Sequence, residues 1–179
     1  TEEFLAAHGY LHYEISNYAK RNRECRHNVG YWKRENYLGL GLGSASLVEN
    51  ERFTNTRDLD TYLRGEGLGK GVGALWTDDA ITKTTAETKN MARMDVSREH
   101  IILDRQAQME EFLFLGLRML EGVSRAEFKD CFGVEIEAVY GTALDRLCRQ
   151  GLLRRQEGFL SLTKEGISVS NYVMSEFLR

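Results

Sequence analysis

The sequence predicts a protein of the α+β class, and three observations support this. Residues 10–54 contain aromatic, β-branched and leucine–glycine stretches of strand length. Residues 104–179 carry amphipathic helical patterns with capping residues, interrupted by one hairpin pattern. The region between them is glycine-rich and polar, which is typical of a connector. We therefore expect a first part over residues 1–64, a connector over 65–103 and a second part over 104–179.

Composition excludes several classes of protein. The 179 residues are 42% hydrophobic and 28% charged, as in ordinary soluble proteins. The net charge of −3 gives no electrostatic reason to expect nucleic acid or an anionic membrane as a partner. No apolar run approaches the ~20 residues of a membrane span. The three cysteines are too scattered for a disulfide framework or a metal motif, which predicts a reducing, cytoplasmic setting: Cys25, Cys131 and Cys148.

The N-terminal residues predict a helix end followed by a strand. Residues 1–9 have a helical pattern ended by Gly9, so we expect the chain to be a piece of a longer protein that opens inside a helix. Residues 10–15 have strand composition, with Tyr10, His12 and Glu14 on one face. That polar face fits either a site inside a barrel or a half-exposed edge strand. Residues 16–26 are polar and predict a loop.

A cluster of versatile side chains follows this loop. His27, Asn28, Tyr31 and Trp32 put an imidazole, a carboxamide, a phenol and an indole within six residues. Imidazole can ligate a metal, and the two aromatic rings can stack on a flat ligand. If residues 27–34 form a short helix, His27 and Tyr31 share a face. The alternative interpretation is a loop histidine beside two core aromatics.

Residues 37–46 alternate leucine and glycine, which predicts a strand with buried leucines. Gly39, Gly41 and Gly43 would leave the other face bare, for a ligand or for close sheet packing. A hairpin turning at Asn50 is expected next, then a short helix capped by Asn55 or Thr56. Five glycines between residues 65 and 73 indicate a linker more than a phosphate loop.

The second part has clear helical boundaries. Helices are expected over residues 104–120, from the Ser124 capping box, over 136–150, and from Thr163 to the C-terminus; a hairpin over 152–162 precedes the last one. This order is that of a winged-helix domain. Residues 100–179 contain ten basic and twelve acidic residues, and Glu135, Glu137 and Asp145 lie on or beside the helix that would enter a DNA groove. We therefore expect a packing or lid domain in preference to a nucleic-acid reader.

Several stretches together resemble the radical SAM proteins grouped with oxygen-independent coproporphyrinogen III oxidase. The matching segments are HYEISNYA at 12–19, ECRHN at 24–28 with YW at 31–32, YLGLG at 37–41 with SA at 44–45, MEEF at 109–112, GLR at 116–118 and LTKEG at 162–166. Within this family, the motif HNxxYW marks the haem chaperone branch. The resemblance covers nearly the whole chain except the connector.

The resemblance implies haem binding, with His27 as the ligand to iron and with Asn28, Tyr31 and Trp32 around it. It places Glu14 and the strand with Gly39, Gly41 and Gly43 in the last part of a partial (β/α) barrel over S-adenosylmethionine. The winged-helix-like domain would pack beside this barrel. The implied partners are haem, a haem-accepting protein and the upstream barrel part of the parent, and a peripheral membrane association and a homodimer stay open.

The sequence departs from the family pattern because it has no CxxxCxxC motif for an iron–sulfur cluster. We expect that motif upstream of Thr1 in a full-length parent, and no radical chemistry from these residues alone. The first functional hypothesis is therefore the C-terminal portion of a haem chaperone that delivers haem. The alternatives are a portion of an oxygen-independent coproporphyrinogen III oxidase, which acts in porphyrin biosynthesis, and a winged-helix nucleic-acid-binding module.

Overall fold

The computed structural model describes residues 2–63 and 100–178, which pack as two units. The first unit consists of Thr1–Glu35 and Arg105–Arg179, and the second of Asn36–Asp104. The first 35 residues thus pack with the C-terminal part, whereas the sequence grouped them with residues up to 64. The glycine-rich connector lies outside the described residues except for residues 100–103, so the expected domain boundaries stay a prediction.

The first unit begins with a helix and a hairpin. Helix α1 spans Glu2–Ala7 and ends before Gly9, which has a φ of 78°, as predicted. Strand β1, Tyr10–Glu14, pairs in antiparallel fashion with β2, Asn17–Lys20. The loop predicted for residues 16–26 is therefore wrong over β2, because pairing with β1 stabilises a strand whose polar sequence shows no pattern of its own. Helix α2, Arg26–Trp32, forms where the short helix was expected.

The second unit contains a three-stranded antiparallel sheet and a short helix. The hairpin of β3, Ala45–Val48, and β4, Glu51–Thr54, turns at Glu49 and Asn50, as predicted. Both turn residues have positive φ, 48° and 67°, which matches the twist of a tight hairpin. Helix α3, Leu59–Leu63, is capped by Asp58 in place of the expected Asn55 or Thr56. Strand β5, His100–Ile102, pairs with β4 and replaces the end of the expected connector.

The leucine–glycine stretch is not the strand that its alternation predicts. Its three leucines are 45–66% exposed, and before β3 begins at Ala45 only Tyr37 forms a bridge, to Leu47. Gly41 and Gly43 adopt positive φ values of 98° and 63°, which break an extended conformation. The prediction of buried leucines was wrong because an alternating pattern cannot show whether a sheet covers the apolar face.

The C-terminal part of the first unit alternates helices with short strands. Its three strands pair in the order β6-β8-β7. The elements are α4 Arg105–Gly116, β6 Val123–Ser124, α5 Arg125–Phe132, α6 Ile136–Arg149, β7 Leu153–Gln156, β8 Phe159–Leu162, α7 Lys164–Ser168 and α8 Ser170–Ser175. Two predictions need correction: α4 ends four residues before Leu120, and the final helix is broken at Val169. Strand β6 was not predicted, because two residues are too few for a pattern.

One hydrophobic core holds these elements together. It combines residues of α4, α5, α6, α8 and the small sheet, and its most buried members have no exposed surface: Leu113, Phe128, Ile136, Leu144, Leu147, Leu160, Val173, Met174 and Phe177. Phe128 lies at its aromatic centre, with its ring 4.8 Å from that of Phe132 and 5.5 Å from that of Phe112.

None of the helices in residues 2–63 and 100–178 has the length and apolar content needed to cross a bilayer.

Replacing Thr163 with alanine is expected to lower the free energy of unfolding by about 1–2 kcal/mol. The Thr163 hydroxyl caps α7 by accepting a hydrogen bond from the Gly166 amide at 3.0 Å, and it donates to the Gly151 carbonyl at 2.6 Å. Urea unfolding measures the change. Ser168→Ala, on the exposed end of the same helix, should stay within ~0.5 kcal/mol of the parent. Equal effects of the two substitutions would contradict the capping role.

Candidate functional site

Helix α2 carries the imidazole–aromatic cluster and is held at both ends by residues of the first unit. The Cys25 side chain makes no capping hydrogen bond; instead, the Cys25 amide donates to the Tyr13 hydroxyl of β1 at 3.4 Å. Beyond the C-terminal end, the Arg34 guanidinium forms an ion pair with Glu111 of α4 at 3.1 Å. A helix of seven residues is not stable by itself in water, so its orientation depends on these tertiary contacts.

His27 and Tyr31 form a pair on one side of this helix. Their ring centroids are 4.5 Å apart and their planes meet at 69°, which is an edge-to-face contact. The predicted shared face is therefore confirmed. His27 is exposed and Tyr31 is half-buried. Within the part of the chain that the structure describes, no hydrogen bond engages the His27 imidazole, so a ring nitrogen is available to a ligand.

Trp32 lies in a different environment from His27. The Arg118 guanidinium stacks over its indole ring, 4.3 Å from the centroid, in a cation–π contact. The indole N–H is buried and has no hydrogen-bond partner among the described residues. Asn28, one turn earlier, is half-buried. The structure thus brings His27 and Tyr31 together, and it places Trp32 against a residue that is distant in the sequence.

Glu14 is buried completely, in contrast to the more exposed residues around it in β1. One carboxylate oxygen accepts hydrogen bonds from the Ser16 amide at 2.9 Å and the Asn17 side-chain amide at 2.5 Å. The other oxygen lies 3.9 Å from the Arg118 guanidinium, which is an ion pair too long for a hydrogen bond. Glu14 therefore stabilises its own hairpin, and its predicted position over S-adenosylmethionine stays a prediction.

The glycines of the second unit pack against backbone and against one buried amide. A Cβ added at Gly39 would lie 2.2 Å from the Ala45 carbonyl oxygen, so a side chain there has no room. The Asn55 side-chain amide donates to the carbonyls of Gly39 and Gly41 at 3.1 and 3.0 Å. These contacts fit the close-packing interpretation of the glycines. Gly43 packs beside Arg57. A cofactor role for the three glycines stays a prediction.

Two clefts within the first unit flank α2. The larger has a volume of about 910 Å³ and opens between β1, the segment before α2 and the turn after α4, with His12, Arg23, Arg26 and Glu35 in its lining. The smaller, about 310 Å³, is lined by Trp32 together with aromatic and charged side chains. His27 and Tyr31 line neither of these two clefts. A large flat ligand of His27 would therefore approach from the exposed side of the helix.

The cysteines offer no cluster site in these residues. Cys25 and Cys131 are exposed and Cys148 is half-buried, and all three are free thiols. Desolvation by neighbouring atoms raises the pKa of Cys131, although much of that residue is exposed; the carboxylates of Glu127 and Asp130 raise it further. No group of three or more His, Cys, Asp or Glu residues that could hold a metal ion occurs in residues 2–63 and 100–178.

Comparisons with known proteins match both parts of the chain. Residues 103–169 match the model of the HemN C-terminal domain. The heme chaperone HemW of Lactococcus lactis is 30% identical over 176 residues, which cover 98% of this chain and 40% of that protein. HemW of Bacillus subtilis is 30% identical over 174 residues, with 97% and 40% covered. The chain is therefore similar to the HemW proteins along nearly its whole length, and its C-terminal part matches the HemN C-terminal domain.

Two further matches are to radical SAM proteins. The mitochondrial radical S-adenosyl methionine domain-containing protein 1 of Danio rerio is 28% identical over 133 residues, covering 70% of this chain and 24% of that protein. The fold is similar to that of coproporphyrinogen III oxidase (HemN) from Escherichia coli, a radical SAM enzyme. The TM-score is 0.62 at 13% identity, over 98% of this chain and 38% of the enzyme. The chain spans about 40% of the length of the HemW proteins given above.

Two residues beside the cluster had no role in the sequence-based site. Arg118 contacts both Trp32 and Glu14, and Glu111 holds the end of α2 through Arg34. Both lie in the MEEF and GLR segments that resemble the HemN and HemW family, and that resemblance was the only signal for them. Neither could be connected to α2 from the sequence, because about eighty residues separate them from that helix.

Proposed function

We propose that this chain is the haem-binding C-terminal portion of a radical SAM haem chaperone, with His27 as a ligand to haem iron. The observation that carries the proposal is the exposed His27 imidazole, which packs edge-on against Tyr31 and makes no hydrogen bond with other described residues. Neutral imidazole is a common axial ligand of haem iron. The relatives named heme chaperone HemW support the same function over nearly the whole of this chain.

The neighbours of His27 suit a porphyrin ligand. The Tyr31 ring holds the imidazole orientation through its edge-to-face contact and would be able to pack against a macrocycle bound at His27. The half-buried Asn28 amide would be able to hydrogen-bond the edge of a bound porphyrin. Trp32 is the fourth residue of the motif, and its contact with Arg118 points to a different task.

An iron–sulfur cluster does not fit the residues described here. The three free cysteines do not converge, and none of the potential metal ligands in the described ranges form a group of three. We therefore propose that cluster and S-adenosylmethionine chemistry belong to the full-length parent, and we assign no reaction step to this chain. The free thiols support our proposal of a reducing, cytoplasmic setting.

Replacing His27 with alanine is expected to abolish the Soret shift that haem produces when it is titrated into this chain. Loss of an iron ligand should weaken binding by more than about a hundredfold, since removing only an outer partner of a metal ligand costs 10–100-fold. His8→Ala and His100→Ala are matched controls, because these histidines are held by Phe4 and Glu51 in other parts of the fold. An unchanged Soret shift in His27→Ala, or no shift with the parent chain, would contradict the proposal.

A second candidate is a portion of an oxygen-independent coproporphyrinogen III oxidase. The similarity of the fold to the Escherichia coli enzyme of that name favours it. The two functions make different predictions for a full-length protein that contains this chain. An oxidase restores growth in cells that lack their own oxygen-independent enzyme, whereas a haem chaperone does not. The His27→Ala substitution in the same cells shows whether any growth depends on the proposed haem ligand.

We propose that the C-terminal part is a winged-helix-like packing domain and not a nucleic-acid reader. Its order of helix, strand, two helices and hairpin is consistent with a winged helix. Basic side chains on and around α6 are engaged by carboxylates: Arg155 pairs with Asp145 at 2.8 Å, Arg146 pairs with Glu176, and Arg125 pairs with Glu137 at 2.8 Å. The bond to Asp145 also raises the pKa of Arg155. Nucleic-acid affinity comes largely from cations that neutralise phosphates and so release counterions. Arginines already paired with carboxylates would contribute little to it.

A further inference from the structure

Trp32 connects α2 to two polar residues that haem ligation does not require. The Arg118 guanidinium lies over the indole ring, 4.3 Å from its centroid, and its terminal nitrogen lies 3.9 Å from the buried Glu14 carboxylate. Arg118 follows α4, Glu14 ends β1 and Trp32 ends α2. These three side chains therefore join three separate segments of the first unit.

The backbone around Arg118 is held by hydrogen bonds to the end of β1. The Ile15 amide donates to the Arg118 carbonyl at 3.0 Å, and the Leu120 amide donates to the Tyr13 carbonyl at 3.1 Å. Residues 118–120 thus run antiparallel to the end of β1, with a bridge between Glu14 and Met119. Because both its backbone and its guanidinium are fixed, Arg118 can impose an orientation on the ring that it covers.

Helix geometry separates Trp32 from the ligand-binding side of α2. Two side chains five residues apart on an α-helix point in directions roughly 140° apart. His27 is exposed beside Tyr31, whereas Trp32 has its N–H buried and one ring face covered by Arg118. The Trp32 indole and the His27 imidazole therefore lie on opposite sides of α2.

We propose that Trp32 is a positioning residue: with Arg118, it holds α2 in the orientation that presents His27, and it does not contact the haem. This inference rests on the proposed haem-binding function. It gives the C-terminal domain a direct task, since Arg118 of that domain orients the helix that carries the iron ligand. The indole acts through its π face, so another aromatic ring can replace it.

The test combines haem titration with conservative variants in the 179-residue chain. Trp32→Phe should keep the haem affinity within about threefold, because a phenyl ring still accepts the guanidinium. Trp32→Leu and Arg118→Gln should each weaken binding about tenfold, which corresponds to the loss of a partly buried cation–π contact. The double variant should be no weaker than Arg118→Gln alone, since that variant has already lost the contact with Trp32. Arg118→Lys should recover part of the affinity.

Arg125→Gln is the matched control, because it removes an arginine of the same unit whose ion pair is with Glu137 of α6. It should bind haem as the parent does. At saturation, the Soret maximum of Trp32→Leu should equal that of the parent, since His27 still ligates the iron. Thermal unfolding of each variant identifies any that fail to fold, in which case Trp32→Phe and Arg118→Lys provide the comparison.

Two results of the haem titration would overturn the inference. Trp32→Phe could lose binding as His27→Ala does while Arg118→Gln binds normally, which would put Trp32 in contact with the haem. The effects of Trp32→Leu and Arg118→Gln could multiply, which would mean that they share no contact. If the parent chain binds no haem, the proposed function fails, and the positioning role of Trp32 is tested in the haem-free protein. A double-mutant cycle of Trp32 and Arg118, measured by urea unfolding, would exclude the positioning role if it showed no coupling. An NMR shift of the His27 ring protons that Arg118→Gln leaves unchanged would exclude it as well.

Discussion

Replacing Phe128 with alanine is expected to lower the free energy of unfolding of the first unit by about 3–5 kcal/mol. The side chain is fully buried, and its ring packs against those of Phe112, Phe132 and Tyr140 at centroid distances of 5.5, 4.8 and 6.5 Å. Truncation removes these aromatic contacts and leaves a cavity that rigid neighbours cannot fill. Since domains are stable by only ~5–15 kcal/mol, a large share of the total would be lost.

Urea unfolding followed by circular dichroism measures this change, and Phe4→Ala is the matched control. Phe4 is 66% exposed on α1, so its truncation should alter stability by no more than ~0.5 kcal/mol. A loss below ~1 kcal/mol for Phe128→Ala would mean that the core around α5 is not packed as described.

The Gly122→Ala substitution should destabilise the same unit by about 3 kcal/mol or more, for two separate reasons. Gly122 has a φ of 86°, a left-handed conformation that costs a residue with a Cβ atom about 1–2 kcal/mol. A Cβ atom would also lie 2.0 Å from the Leu160 carbonyl oxygen, so the turn and β8 would have to move apart. Overpacking of this kind costs about 1–3 kcal/mol in addition.

Gly133→Ala separates these two contributions. Gly133 ends α5 with a similar φ of 66°, but an added Cβ would meet no atom within 4 Å. We expect it to lose only the conformational part, about 1–2 kcal/mol. Equal midpoints of thermal unfolding for the two variants would show that the clash with Leu160 is relieved without cost. Because the Gly122 turn follows directly on residues 118–120, Gly122→Ala should also weaken the hold of Arg118 on α2.

Local signals predicted the C-terminal half of the fold well. The Ser124 hydroxyl accepts from the Glu127 amide as its capping motif requires, and Gly151 follows α6 with a φ of 72°. Thr163 caps the next helix as expected. Such signals depend on residues within four positions of each other, so they survive in a single sequence. The break at Val169 has no such signal, and the sequence missed it.

Predictions of which face of a short segment is buried were less successful. Alternation in β1 placed Tyr10, His12 and Glu14 on one face, but Tyr10 is 37% exposed and Glu14 is completely buried. The register shifts between His12 and Glu14, which interrupts the alternation. The leucines of residues 38–42 are exposed for a similar reason, because no sheet forms there. Which side of a short segment is covered depends on partners that its own sequence does not contain.

For the candidate site, the sequence by itself determined a short helix with His27 and Tyr31 on one face, because a spacing of four residues defines a helical neighbour. Only the tertiary structure decided the environment of Trp32. The pairing of residues 118–120 with β1 brings Arg118 between the Glu14 carboxylate and the indole, and no local pattern encodes a meeting of three segments so far apart in the chain. The chemistry of the motif is therefore local, whereas the orientation of the helix that presents it is a property of the folded unit.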